Sequence, residues 1–343
     1  MQKIIDNIKK KPIPLDRYIN DCLYKYKSSY YEKDLIFGQR GDFITSPYIS
    51  SIFGEIIAIF IINYFLKNKI FSFKILEIGA GEGLLAEDII KTISKFKDFK
   101  CQYYILEKSK KLKKIQKDRL GKFKVKWIQS IKDTKAENYF ILSNELLDAF
   151  PVKHYKKINN EWNEKFIQYD CKKKKLITKY FKIVKKNKKI FNFVDKECDF
   201  IEFSPNIFQF IKAISKVLIN NKNNFFLTID YGYNNKHYKN SLQGLMKHKK
   251  VDIFSNQGFV DITYLVNFNL IKNIFKKNKI LNINISTQSD FLKKNGIIER
   301  FNQSKKLLDS DEKISKLHLA VNRLINDKQM GSLFKVMTAS NND

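Results

Sequence analysis

Five residues set the first chemical question: Glu77, Gly79, Gly81, Gly83 and Glu107, carried by the segments ILEIGAGEG and CQYYILEKS. Three glycines behind an apolar run make a loop whose backbone can adopt positive φ and come close to a ligand. The dinucleotide fingerprint G-x-G-x-x-G is not met. Counted from Gly79, the third glycine comes one place early and Leu84 fills the fingerprint position. No G-K-[ST] follows, which excludes a P-loop. Glu77 before the loop and Glu82 inside it would oppose a pyrophosphate at a helix N-terminus. They suit a ligand with an ammonium, a sulfonium and no phosphate, and S-adenosyl-L-methionine is such a ligand. Glu107 closes the next apolar run, where a carboxylate can accept two hydrogen bonds from a ribose diol, at the usual distance of roughly 20 residues or a little more. Ala80 in the loop and Ser109 just past Glu107 complete the expected cofactor-binding set. A generic α/β turn also uses glycines, for tight packing alone.

A second group lies in SNELLDAFP, where Asn144, Glu145 and Asp148 follow the apolar run NYFIL. Groups at the carboxyl end of a strand face the ligand crevice of an open α/β sheet, so these three are the expected catalytic residues. Methyl transfer is a displacement at carbon, and the protein's part is to align nucleophile and sulfonium. Enzymes that methylate exocyclic base nitrogens carry N-P-P-[YF] here, whereas this chain has Leu146 and Leu147. The cysteine nucleophile needed at pyrimidine C5 is also absent from the strand ends. The alternative is structural, with NE-xx-D capping a following helix.

These groups need strands to carry them. From Phe71 onward, short apolar runs alternate with helical segments: FKILEIG, CQYYILE, KVKWIQ, NYFILSNE and FFLTIDYG are separated by patterns such as GLLAEDIIKTISKF and SKKLKKIQKDRL. That alternation predicts βαβ units and a parallel sheet. NINIST and GSLFKVM are plausible sixth and seventh strands. Residues 1–70 read as a helical N-terminal region, broken by GQRGDFITSP and ending in a buried helix over SSIFGEIIAIFIINYFL. Residues 71–343 form the sheet domain, with insertions at about 154–224 and 234–265. The first insertion carries CKKKKLITKYFKIVKKNKKIFNFV, which reads as an exposed hairpin whose lysines blunt its edges. Asp261 and Thr263 in GFVDIT read equally well as site residues and as a helix-capping pair.

The 343 residues carry a formal charge of +30, yet only five of the 65 basic residues are arginine. Nucleic-acid readers usually need arginine for bidentate contacts, so a solvated, compositionally biased surface is the favoured reading over a nucleic-acid patch. No apolar run reaches the roughly 18 residues of a membrane span, and the chain is expected to be soluble. The N-terminus shows neither a secretory nor a mitochondrial address. Four cysteines without a CxxC pair suit a reducing compartment and make zinc unlikely as a ligand.

Taken in order, GDFITSP with the following FGE, ILEIGAGEGLLAEDI, SNELLDAFPV, EFSP, TIDYGY, HKKVDIF, GFVDITYLVNF and GSLFKVM resemble the MidA family of methyltransferases, which includes the mitochondrial complex I assembly arginine methyltransferase. Tyr48 and Asn267 stand where that family more often has acids. The resemblance implies an α/β, Rossmann-like, seven-stranded class I methyltransferase sheet with S-adenosyl-L-methionine as cofactor. It implies a protein acceptor, a respiratory complex I subunit as for that member, in the bacterial cytoplasm or, in a eukaryote, the mitochondrial matrix. It makes GDFITSP a lid loop, with Thr45 and Ser46 contacting the cofactor and Asp42 and Phe43 the acceptor. Asp230 and Tyr231, at the end of the fifth strand, and His248 would line the acceptor pocket. Arginine's pKa above ~12 excludes prior deprotonation by a carboxylate. Glu145 and Asp148 would instead clamp the guanidinium bidentately. The alternatives are an RNA or small-molecule methyltransferase, or an assembly factor that retains the fold without catalysis.

Overall fold

The computed structural model describes residues 2–32, 45–134, 137–183, 191, 193, 197–246 and 249–342. The chain divides into two compact units that interleave in sequence: 1–43, 147–211 and 234–274 in one, and 44–146, 212–233 and 275–343 in the other. The second unit carries the glycine loop. Helix Ser51–Lys67, read in the sequence with the N-terminal region, belongs to this unit.

The strands of that unit are β1 (Ser72–Ile78), β2 (Lys100–Leu106), β3 (Val125–Ile128), β4 (Tyr139–Asn144), β5 (Phe225–Tyr233), β6 (Asn282–Thr287) and β7 (Phe334–Ser340). They lie side by side in the order β6-β7-β5-β4-β1-β2-β3. The β5–β4, β4–β1, β1–β2 and β2–β3 pairs are parallel. β7 runs antiparallel to both β5 and β6. Chain order reverses between β1 and β4, so the carboxyl ends of these two strands flank the switch point where open α/β sheets bind ligands. The central strands β4 and β5 are buried on both faces, and β4 is apolar and buried through Leu142. Ser143 Oγ donates to Thr228 Oγ1 at 2.8 Å, satisfying both hydroxyls between β4 and β5.

Three helices pack beside these strands: α1 (Ser51–Lys67), α2 (Leu84–Ile93) and α3 (Lys110–Leu120). Ser50 caps α1 by accepting from Ile52 N. Phe53, Ile57, Ala58, Ile61 and Phe65 of α1 are wholly buried. A Cβ at Gly54 would lie 2.5 Å from Asp88 Cβ, so glycine sets the close approach of α1 to α2. Phe65 stacks on Phe73 at 4.1 Å, carrying the packing onto β1.

The other unit has an antiparallel sheet in which Ile13–Pro14, Glu161–Asp170, Lys153–Ile158 and Phe200–Phe203 follow in order, with Lys175–Lys182 also paired to Glu161–Asp170. The last pairing is the lysine-rich hairpin, in register from Asp170↔Lys175 to Asn163↔Lys182. A three-stranded sheet, Lys249–Val251, Gln243–Met246 and Asp261–Thr263, completes it. Asp261 and Thr263 therefore lie in a strand and do not cap a helix. Among the described residues no helix is long and apolar enough to cross a membrane.

Candidate active site

The glycine loop leaves β1 and enters α2 within five residues. Gly79, Gly81 and Gly83 have φ of 72°, 53° and 85°, all in the left-handed region that glycine enters without steric cost. Their surroundings differ. A Cβ at Gly79 would meet Leu146 Cδ1 at 2.8 Å, and one at Gly83 would meet Leu120 Cδ1 at 3.3 Å, whereas one at Gly81 would meet nothing within 4 Å. Two glycines thus serve packing, and Gly81 faces open space. Ala80 is buried at 7% exposure, and its carbonyl accepts from Gly83 N.

Of the two acids beside this space, Glu77 is buried and Glu107 half-buried. Glu77 is 2% exposed and accepts a 2.8 Å hydrogen bond from the Tyr103 hydroxyl. Burial, with the nearby Glu107 charge adding to it, pushes the Glu77 carboxyl up to about 7. Burial also raises Glu107, whose Oε1 accepts from Ser109 N at 2.9 Å and whose Oε2 accepts from Gln116 Nε2 at 3.2 Å. Ser109 in turn caps α3, its hydroxyl accepting from Leu112 N. Two acids held against their preference for water form a site that gains by receiving a cation and hydroxyl donors. Glu82 does not add to this negative field as its position in the loop suggests. Arg119 Nε donates to its carbonyl at 3.0 Å, and Arg119 Nη2 lies 3.8 Å from its carboxylate.

The carboxyl end of β4 holds the second group. Glu145 has φ of 50°, uncommon for a residue with a Cβ, and its N–H donates to Ile229 O at 2.8 Å. Its Oε1 accepts from Ser46 N at 3.0 Å and from Asn144 Nδ2 at 3.1 Å. Asn144 Oδ1 is buried and has no hydrogen-bond partner among the described residues. Ser46 is fully buried, with its hydroxyl 3.5 Å from Gln288 Oε1, and Thr45 precedes it as the cap of the turn Ser46–Ile49. No helix follows SNELLDAFP, so a helix-capping role for its acids is removed.

Asp230 and Tyr231 sit otherwise than an acceptor-facing pair would. Asp230 is fully buried, with Oδ2 accepting from Leu146 N and Oδ1 from Tyr231 N. Tyr231 is 9% exposed and packs against Phe334 with ring centroids 5.5 Å apart. In the other unit, Asp148 Oδ2 accepts from Thr263 Oγ1 at 2.9 Å, and Tyr264 donates to Leu147 O. Asp42, Phe43 and His248 lie outside the described residues.

Gln116 was not singled out by motif. It is wholly buried on α3, and its amide joins Gly81 O, Glu107 and Trp127. One signal does exist: Leu112, Gln116 and Leu120 follow at intervals of four, so a polar residue occupies the buried stripe of an otherwise lysine-rich helix.

The site fits S-adenosyl-L-methionine on its own geometry, through the open space at Gly81, the orphaned Asn144 oxygen, the buried Glu77 and the half-buried Glu107. The family model for S-adenosyl-L-methionine-dependent methyltransferases matches residues 56–286. The mitochondrial protein arginine methyltransferase NDUFAF7 of Xenopus tropicalis is 30% identical, the alignment covering 94% of this chain and 81% of that protein. Its Homo sapiens counterpart is 28% identical, covering 94% and 79%. The crystal structure of a COG1565 superfamily member from Burkholderia thailandensis, bound to S-adenosyl-homocysteine, superposes with a TM-score of 0.84 at 22% identity over 99% of this chain and 90% of that one. With the strand order, the glycine loop and the match across two thirds of its length, this chain belongs to the MidA-type family of S-adenosyl-L-methionine-dependent methyltransferases.

Proposed function

We propose that the enzyme methylates an arginine side chain of a protein partner, and that this partner is a respiratory complex I subunit. The observation that carries the arginine reading is Glu145. Its carboxylate ends β4 at the switch point and is fixed by Ser46 N and Asn144 Nδ2 before any acceptor arrives. Relatives named as protein arginine methyltransferases support the same acceptor. A respiratory complex I partner follows from the family resemblance, and a mitochondrial matrix location, for a eukaryotic source, follows from those relatives.

S-adenosyl-L-methionine, when bound, supplies an electrophilic methyl carbon and leaves as S-adenosyl-homocysteine. The residues of this chain do the rest. Glu77 offers a buried carboxylate to the ammonium group, and Glu107 accepts from the ribose hydroxyls. Glu145 takes two guanidinium N–H groups and aims the third nitrogen at the methyl carbon. The acceptor nitrogen, once methylated, would be acidic, and its proton would pass to solvent. A fixed carboxylate favours this because it stabilises the charge as it develops. Asp230, spent on backbone, positions Leu146 and is no acceptor ligand.

The test is incubation with methyl-labelled donor and the assembled complex I subunits, followed by peptide mass spectrometry. Label on arginine supports the reading, whereas label confined to lysine, to RNA or to small molecules refutes it.

A further inference from the structure

Gln116 makes three hydrogen bonds at zero exposure. Its Nε2 donates to Gly81 O at 2.8 Å and to Glu107 Oε2 at 3.2 Å, and its Oε1 accepts from Trp127 Nε1 at 2.9 Å. The orientation of this amide is settled by chemistry. An indole N–H can only donate, so the amide oxygen must face Trp127 and the NH₂ must face the two acceptors. Glu107 is thereby held at both oxygens, by Gln116 and by Ser109 N. The Gly81 peptide is held at its carbonyl, immediately beside the only loop glycine whose added Cβ would meet open space. The Gln116 stem also supports the loop, since a Cβ at Gly83 would lie 3.6 Å from Gln116 Cγ.

We infer that Gln116 is the positioning residue for ribose recognition. It locks the carboxylate of Glu107 in the rotamer that receives the ribose diol, and locks the Gly81 peptide at the matching height. Trp127, on β3, is the outer half of the device because it fixes which way the amide points. Without Gln116, Glu107 keeps only backbone N–H groups, those of Ser109 and Lys108, and its second oxygen can turn toward solvent or toward Glu77, whose charge already opposes its own. This inference rests on Glu107 taking the diol, and the experiment separates the two.

Binding of S-adenosyl-homocysteine and of its 3′-deoxyribose analogue is measured by isothermal titration for the wild type, Gln116→Leu, Trp127→Phe and Glu107→Ala. A hydrogen bond to a charged group sets the expected wild-type preference for the diol at about 10- to 100-fold. Glu107→Ala should bring that preference to about 3-fold or less. Gln116→Leu should do the same, and Trp127→Phe should lower it several-fold while leaving the Glu107 side chain in place. A merely structural role would weaken both ligands together and leave their ratio unchanged. If Glu107→Ala collapses the ratio and the Gln116 and Trp127 variants keep the wild-type value, the inference is overturned and the ribose assignment stands. If Glu107→Ala keeps the ratio, the ribose assignment falls and the inference falls with it. Should Gln116→Leu fail to fold, an unchanged ratio in Trp127→Phe overturns the inference by itself.

Discussion

Glu77 lies 2% exposed beneath the glycine loop, its carboxyl bonded to Tyr103 and pushed by burial from 4.5 to about 7. The folded protein thus keeps this proton to a higher pH than the unfolded chain does. Between pH 4.5 and 7 the native state binds more protons, so stability falls as pH rises. The contribution is full below 4.5 and gone above 7. At about 1.4 kcal/mol per unit, the loss by pH 8 is about 3 kcal/mol. Glu77→Gln removes the titration while keeping shape and an acceptor for Tyr103. The ligand-free variant should match the wild type near pH 4.5 and exceed it at pH 8, by roughly 5 °C in melting temperature. Asp88, raised by burial to about 7, titrates in the same window, so the readout is the difference between the two melting curves across pH. Donor binding should move the opposite way. Wild-type affinity for S-adenosyl-homocysteine should rise toward pH 7 and level off above it, as Glu77 loses its proton to receive the ammonium. The variant should bind about 10- to 100-fold more weakly at pH 8, with a flatter pH dependence. Equal melting differences at pH 5 and pH 8 would show that Glu77 does not titrate as argued. Wild-type affinity in the variant would show that it does not hold the ammonium.

Three further substitutions separate packing from chemistry. Gly81→Val enters space with nothing within 4 Å but at φ of 53°, so it should cost only about 1–2 kcal/mol in chemical denaturation yet abolish donor binding in titration. Glu145→Gln keeps an acceptor for Ser46 N but removes the charge. It should lower single-turnover methyl transfer by about 100-fold or more and leave donor affinity within a few-fold. Glu202 is buried at 4% exposure and accepts from Ser241 N, Leu242 N and His154 Nε2, so Glu202→Ala strands several donors and should cost about 3–5 kcal/mol in urea unfolding.

What the sequence could reveal depended on whether a residue's role is set by its neighbours in the chain. The β1 loop was legible because three closely spaced glycines behind an apolar run impose the same local geometry almost anywhere. The mostly parallel sheet was legible because strands alternating with helices leave few other ways to join them. The opening acids were legible as positions and less so as charges. Glu82 looked like a second negative group, and only the fold brings Arg119, 37 residues away, onto its carbonyl. Gln116 was hidden for a related reason. Its partners come from a loop, a strand end and the edge strand β3, and nothing local to KKLKKIQKDRL distinguishes a buried amide from an exposed one except its four-residue spacing to two leucines.

The acids that end strands show where the limit lies. Glu107, Glu145 and Asp230 close β2, β4 and β5 in similar fashion, and the sequence gives each an equal claim to a ligand. Their fates diverge according to which backbone N–H groups the next turn leaves unsatisfied, because a buried donor without an acceptor costs more than a rearranged carboxylate. After β4 the chain turns sharply through left-handed Glu145, and the Leu146 N–H is left inside, so Asp230 is drawn to it with one oxygen and to Tyr231 N with the other. Glu107 takes the neighbouring backbone N–H groups of Ser109 and Lys108, and its second oxygen is met by the Gln116 side-chain amide. Glu145 Oε1 accepts from Ser46 N and from the neighbouring Asn144 amide. The acid that spends both oxygens on backbone donors is structural, and in the proposed reading Glu107 and Glu145 are those that meet a ligand. That distinction is one of local hydrogen-bond accounting, and it is fixed by turns whose geometry no spacing of residue types records.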